Sequence, residues 1–326
     1  MKVFDFDPAD HRAQWQQKGW VHIRNGVAPD FFAYLREFVD RSLEAHHVQG
    51  KAIGGQKDQA LLEFPAEVDF PGELFDVVAT LCGLDREGMT LSERHIKLYD
   101  PNADPEPVAH KDRYSSQVSV GLSIDIPAES RLVLYPSDHR SENPFNVSPA
   151  LLASLDPEEH PSVALEHAEE LVIDDQPGDV VLFPGRSMWH KRRNPARATN
   201  LYLKFNDFGS DPLGEDPATS RLREGTLAAL ANGHDLGGLV PVPARRLDTL
   251  TRQYTREGGE VLQANVWEQK PLTLEPAEFE LLQLADGRRD LAAVTSEIAA
   301  GSRRNGFDRS IRRLAENGAL DLVARS

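Results

Sequence analysis

The chain has 326 residues, 40% of them hydrophobic and 27% charged, with a formal net charge of −16 at pH 7. That length suffices for one large domain and a small one with ample core, and the acidic balance argues against a general nucleic-acid binder, which carries a basic footprint. The single cysteine, Cys82, excludes an internal disulfide and a thiolate-rich zinc site. No apolar run approaches the roughly twenty residues of a membrane span, and Met1-Lys2-Val3-Phe4-Asp5-Phe6-Asp7 has no signal-peptide apolar region. A cytoplasmic protein that makes no membrane contact is expected.

In chain order, Trp15 to Ile23 reads as the end of a helix, a stop at Gly19 and a short strand. Asp30 precedes Phe31, Phe32, Leu35, Phe38, Val39 and Leu43 at helical spacing, which places Asp30 as an N-cap. Such an aromatic stripe more often packs on a sheet than lines a cofactor. Residues 50 to 75 read as a loop around Gly54-Gly55, of a length that can serve as a lid. A strand-rich centre follows: 94–99, 118–126, 131–135, 171–173, 179–183, 188–191 and 198–205. Segments this short, punctuated by Gly, Pro, Asp and Asn, indicate a mainly β sandwich or barrel. A double-sheet jelly roll, the double-stranded β-helix, suits the count. Residues 144–160 read as an insertion with a short helix.

The chemistry concentrates in Val108-Ala109-His110-Lys111-Asp112-Arg113 and Ser187-Met188-Trp189-His190. If the first segment is extended, His110 and Asp112 leave the same face, because strand side chains alternate. A distant His would complete one triangular face around a metal. Two imidazoles and a carboxylate so arranged describe the facial triad of non-haem Fe(II) oxygenases, which leaves three coordination positions open. A bare H-x-D is common by chance, so the weight rests on its surroundings.

Those surroundings are ordered. Lys18-Gly19-Trp20-Val21-His22-Ile23 and its helix come first, then His110-Lys111-Asp112. Next come Leu132 to Arg140, with its Pro136-Ser137-Asp138-His139 turn, then Pro177-Gly178-Asp179-Val180-Val181-Leu182-Phe183, Trp189-His190, Asn194 and Arg197. Over residues 12–207 this order resembles the phytanoyl-CoA dioxygenase-like branch of the Fe(II)/2-oxoglutarate-dependent oxygenases. The resemblance implies that His110, Asp112 and His190 hold Fe(II), with 2-oxoglutarate and then O₂ in the open positions. It implies hydroxylation of an unactivated C–H bond, with release of succinate and CO₂. Halogenating relatives have a small residue in place of Asp112, so its presence favours hydroxylation or desaturation. For the far carboxylate of 2-oxoglutarate, Arg197 is the first candidate, since guanidinium grips a carboxylate bidentately, with Thr199 supplying a hydroxyl. Arg197 lies only seven residues after His190, a shorter gap than the family's pattern, so Lys204, Arg192 and Arg193 are reserves. Lys97 and Tyr99 on an early strand are expected beside the ligand, and Arg113 and Gln117 near the substrate. Surface exposure is the usual alternative fate of such cations. His139, His160 and His167 read as structural or solvated, Trp189 as packing, and Cys82 as a small core residue.

The oxygenase domain is expected over residues 1–245, with its β-helix core at about 90–207. From Pro271 the pattern changes to three short helices, around Phe279–Leu284, Leu291–Ile298 and Ile311–Leu314, followed by a strand near Leu320–Val323. Residues 246–326 therefore read as a small winged-helix-like module. Its Arg303, Arg304, Arg309, Arg312 and Arg313 occupy the position of a recognition helix, but acidic residues balance them and nucleic acid is a poor partner. Contact with a peptide or carrier protein through residues 271–326, presenting a small-molecule or peptidyl substrate to the iron, competes with a dimerisation or lid role. The rival to an enzyme is a non-catalytic jelly-roll ligand sensor acting through this module.

Overall fold

Alternation along the central strands decides the architecture. The computed structural model describes residues 1–44, 57–137, 141–232, 236–267, 269–299 and 307–324, and the chain divides into two compact units, Met1–Gly209 and Ser210–Ser326. The first unit runs α1 (Pro8–Lys18), β1 (Val21–Ile23), α2 (Pro29–Glu44), β2 (Lys57–Leu61), α3 (Val77–Cys82), β3 (Thr90–Tyr99), β4 (Val118–Asp125) and β5 (Arg131–Tyr135). It continues through α4 (Ser148–Ser154), α5 (Pro161–Ala164), β6 (Leu171–Ile173), β7 (Val180–Phe183), β8 (Trp189–Arg193) and β9 (Thr199–Asn206). Two antiparallel sheets result, in the orders β1-β7-β4-β9-β3-β2 and β6-β5-β8.

On β4, Val118, Val120, Leu122 and Ile124 enter a core with Phe31 and Leu35 of α2 and Val78 and Leu81 of α3. Leu201, Leu203 and Phe205 of β9 join them. The alternate residues, Ser119, Gly121 and Ser123 on β4 and Asn200, Tyr202 and Lys204 on β9, therefore turn to the opposite face. There Val181 and Phe183 of β7 pack against Leu132 and Leu134 of β5, Ile173 of β6 and Met188. Two antiparallel sheets packed through their inner faces, with helices outside the larger one, make the jelly-roll-type core that the strand count predicted.

Local details follow the residue types. Gly19 stops α1 at φ 75°, its N–H donating to Trp15 O at 2.7 Å, a left-handed cap that glycine adopts without steric cost. Asp30 is not the cap of α2: the helix begins at Pro29, so Asp30 sits in the first turn, where its charge complements the helix dipole. Part of the expected 50–75 loop is strand β2, paired with β3. Gly54-Gly55 and the Asp138-His139-Arg140 turn lie outside the described residues.

The second unit contains α6 (Pro217–Ala231), β10 (Val240–Pro243), β11 (Leu247–Tyr254), β12 (Glu260–Val266), β13 (Leu272–Thr273), α7 (Pro276–Leu284), α8 (Leu291–Ala299), α9 (Phe307–Glu316) and β14 (Leu320–Val323). Leu281, Leu291, Val294, Ile311, Leu314 and Leu320 form its core. The three helices and final strand are where the sequence placed them, but β14 pairs antiparallel with β10, upstream of the helices. It is thus no wing hairpin, and Thr226 of α6 receives the N–H of Leu322 at 2.9 Å. These contacts bring residues 210–245 into the second unit, so the boundary falls after Gly209 and not after residue 245. Arg312 donates to Leu230 O at 2.8 Å, and Arg313 pairs with Glu278 and donates to Thr273 O, so both serve their own unit. Arg303 and Arg304 lie outside the described residues.

Candidate metal centre

His110 is joined to β8 by a two-hydrogen-bond bridge: its N–H donates to His190 O at 2.9 Å, and its carbonyl oxygen accepts from His190 N–H at 3.0 Å. The bridge sets the two imidazoles side by side, ring centroids 4.3 Å apart. Two residues on, the Asp112 N–H donates to Gly185 O at 2.9 Å, and Asn143 donates to Asp112 O at 2.8 Å. One ligand atom from each of His110, Asp112 and His190 lies within 4.8 Å of the others, and no other such group occurs among the described residues. His190 Nδ1 donates to Met188 O at 3.0 Å. That bond fixes the tautomer, so Nε2 carries the lone pair and faces Asp112 Oδ2 at 3.8 Å. His110 Nε2 lies 4.0 Å from Asp112 Oδ1.

Asp112 is held by both oxygens, accepting from Ser119 Oγ at 2.7 Å and from Lys204 Nζ at 2.7 Å. Burial pushes its carboxyl up, but Lys204, His190 and His110 outweigh this and hold it well below the usual carboxylate range. It stays an anionic donor. Gly185 has room for nothing larger: a Cβ there would fall on Ser119 Oγ and within 2.5 Å of Asp112 Oδ2.

The triad opens onto a cleft of about 710 Å³, its mouth included, lined also by Gln59, Glu93, Lys97, Tyr99, Arg113, Leu132, Arg192, Tyr202 and Lys204. The side chain of His110 is 43% exposed while His190 and Asp112 are buried, so the metal face looks out past His110. Two borderline nitrogen donors, one carboxylate and no thiolate, all on one side, fit Fe(II) with its remaining positions turned to the cleft.

The cations around this cleft are not those expected first. Arg197 sits at φ 65° in the turn before β9, exposed, and does not line the cleft. Thr199 shares its strand face with Leu201 and Leu203, which point into the helix-covered core, so it too is directed away. Gln117 is half-buried and receives the Asp207 N–H at 3.0 Å, away from the cleft. Arg193 pairs at the surface with Glu106 and Glu170. By contrast Arg192 leaves β8 on the same face as His190, is buried, and grips Asp175 through Nη1 at 3.2 Å and Nη2 at 2.8 Å. Its Nε is buried with no hydrogen-bond acceptor among the described residues. Tyr99 and Tyr202 lie beside it, and burial raises the pKa of both phenols, keeping them neutral donors. Lys97 and Arg113 line the cleft. Glu93, which the sequence reading passed over, was signalled by the alternation Glu93, His95, Lys97, Tyr99 along one strand.

Fold and site together define a jelly-roll protein with a two-histidine, one-carboxylate metal-binding face. No family model matches the chain, and no curated protein does. Among solved structures, a Pseudomonas putida prolyl-4-hydroxylase superposes with a TM-score of 0.45 at 14% identity, covering 61% of this chain and 98% of that one. The non-haem α-ketoglutarate-dependent carbocyclase SnoK from nogalamycin biosynthesis gives 0.47 at 16% identity over 65% and 90%. HygX from Streptomyces hygroscopicus, solved with nickel, 2-oxoglutarate and hygromycin B bound, gives 0.39 at 12% identity over 62% and 88%.

Proposed function

We propose that the first unit is a non-haem Fe(II)- and 2-oxoglutarate-dependent dioxygenase of the phytanoyl-CoA dioxygenase-like branch. It hydroxylates an unactivated C–H bond of a small-molecule or peptidyl substrate. The observation that carries this reading is the His110–Asp112–His190 face, opening onto a cleft lined by a buried arginine and two half-buried tyrosines. Bound there, Fe(II) with 2-oxoglutarate and O₂ would supply the oxidising power, one oxygen atom entering the substrate and the other succinate as CO₂ leaves.

The chain's own residues have distinct tasks. Ser119 and Lys204 hold Asp112 charged and oriented, and Met188 O sets the tautomer of His190. Arg192, through its Nε, together with the hydroxyls of Tyr99 and Tyr202, takes the far carboxylate of 2-oxoglutarate in place of Arg197. Asp175 locks that guanidinium from behind. Burial of the inner wall keeps water from the reacting carbon and strengthens each polar contact. Contact of residues 271–326 with a peptide or carrier protein is part of the same proposal. No helix of the described residues is long and apolar enough to cross a membrane.

The test is anaerobic addition of Fe(II) and 2-oxoglutarate, read by the weak visible metal-to-ligand charge-transfer band. Wild type gives the band and His110→Ala and Asp112→Ala do not. Absence of the band in folded, iron-loaded wild type overturns the proposal.

A further inference from the structure

The cleft holds a second polar cluster beside the triad. Strand β3 presents Glu93, His95, Lys97 and Tyr99 on one face, and its register with β9 sets Lys204 opposite Glu93, while β2 sets Gln59 opposite Lys97. Lys97 Nζ is 3.1 Å from Glu93 Oε1 and 2.9 Å from Gln59 Oε1; Lys204 Nζ is 3.3 Å from the same Glu93 oxygen. Arg113 Nε lies 3.6 Å from Glu93 Oε2. Glu93 is 1% exposed, Lys204 7% and Lys97 8%. One buried carboxylate thus stands among three cations. Burial raises the pKa of Glu93, but Lys204 and Lys97 pull it well below the usual range, so the cluster keeps its charges.

The charge balance of the whole cleft extends this. Among the described lining residues, Lys97, Arg113, Arg192 and Lys204 carry four positive charges, and Glu93 and Asp112 carry two negative ones. Asp175 behind Arg192 supplies a third negative charge, which leaves an excess of one positive charge. A divalent metal adds two and 2-oxoglutarate removes two, so the loaded cleft keeps that excess. A neutral substrate closing the mouth would bury the charge unbalanced, and a cationic one would double it; both are costly in a site withdrawn from water.

We infer, resting on the function proposed above, that the substrate is an anion whose single oxyanion group, a carboxylate or a phosphate, docks on Lys97 and Arg113. These side chains flank the triad without being needed for metal or 2-oxoglutarate. They act as substrate-binding residues that fix which C–H bond faces the iron.

The experiment titrates benzoate, inorganic phosphate and the neutral isostere benzamide into full-length protein loaded with redox-silent Mn(II) and saturating 2-oxoglutarate, read by calorimetry. At least one anion binds with a stoichiometry of about one, and benzamide binds at least about tenfold more weakly, a factor worth about 1.4 kcal/mol. Which anion binds separates a carboxylate from a phosphate substrate. Lys97→Met and Arg113→Gln each weaken the anion by about tenfold or more while 2-oxoglutarate affinity stays within about threefold, and Lys97→Arg retains most of it. Binding of neither anion, equal binding of benzamide, or unchanged binding in both variants overturns the inference. If wild type takes Mn(II) but not 2-oxoglutarate, the oxygenase reading fails by itself, and titration of the anions into the Mn(II)-only protein still decides whether the cluster is an anion site.

Discussion

At the scale of single residues, the site depends on atoms that carry no metal-binding chemistry. Gly185 is the clearest case, because its backbone carbonyl receives Asp112 N–H and its missing Cβ leaves room for the Ser119–Asp112 bond. Gly185→Ala therefore displaces the carboxylate, and metal affinity measured by anaerobic Mn(II) titration falls by about tenfold or more, while the far-UV circular dichroism stays that of the wild type. The buried Glu93 makes a prediction about pH. Its carboxyl titrates below its unfolded value, so it contributes stability that is fully present above that value and is lost as pH falls toward the folded pKa. Between about pH 5 and pH 2 the urea midpoint of the wild type drops, and in Glu93→Gln it drops less. At neutral pH that variant is less stable by about 3–5 kcal/mol, the usual cost of stranding buried cations; an equal pH slope in the two proteins would remove Glu93 from this role.

At the scale of elements, β8 does two things at once. His190 and Arg192 share its inward face, so one strand places a metal ligand and a cation two residues apart, while Arg193 on the opposite face is spent on surface ion pairs. The charge-transfer titration should then separate the arginines. Arg192→Leu weakens 2-oxoglutarate by about a hundredfold, the scale of a lost charge-assisted hydrogen bond in a dry site, whereas Arg197→Ala, on its exposed turn, changes it by less than about twofold. Asp175→Asn strands the Arg192 guanidinium and lowers the chemical-denaturation stability by about 3–5 kcal/mol. Equal effects of the Arg192 and Arg197 substitutions would refute the assignment.

At the scale of the whole chain, the division into Met1–Gly209 and Ser210–Ser326 sets what folds as a unit. Strand β10 and helix α6 complete the second unit's core through β14. A fragment of residues 210–326 unfolds cooperatively on heating, and one of residues 246–326, which lacks the partner strand of β14, does not. A sigmoidal thermal transition from the shorter fragment would move the boundary back toward residue 245.

How much of this was legible in the sequence divides along a physical line. Local pattern carried the strand-rich centre, the Gly19 stop, the three helices after Pro271 and the pairing of His110 with Asp112 two residues away, because each depends on neighbours within one period of a strand or a turn. The inward run Glu93, His95, Lys97, Tyr99 was visible as alternation, but which of its two faces met the metal was not, since a strand reads the same from either side until another sheet covers one of them. That covering also decided between Arg192 and Arg197: both stand near His190 in the chain, and only the β8 register and the left-handed turn at Arg197 put one inside and the other in solvent. The second unit's boundary was decided in the same way, because β10 becomes a strand of that unit through pairing with a partner some eighty residues later, a long-range contact that no local pattern in either segment announces.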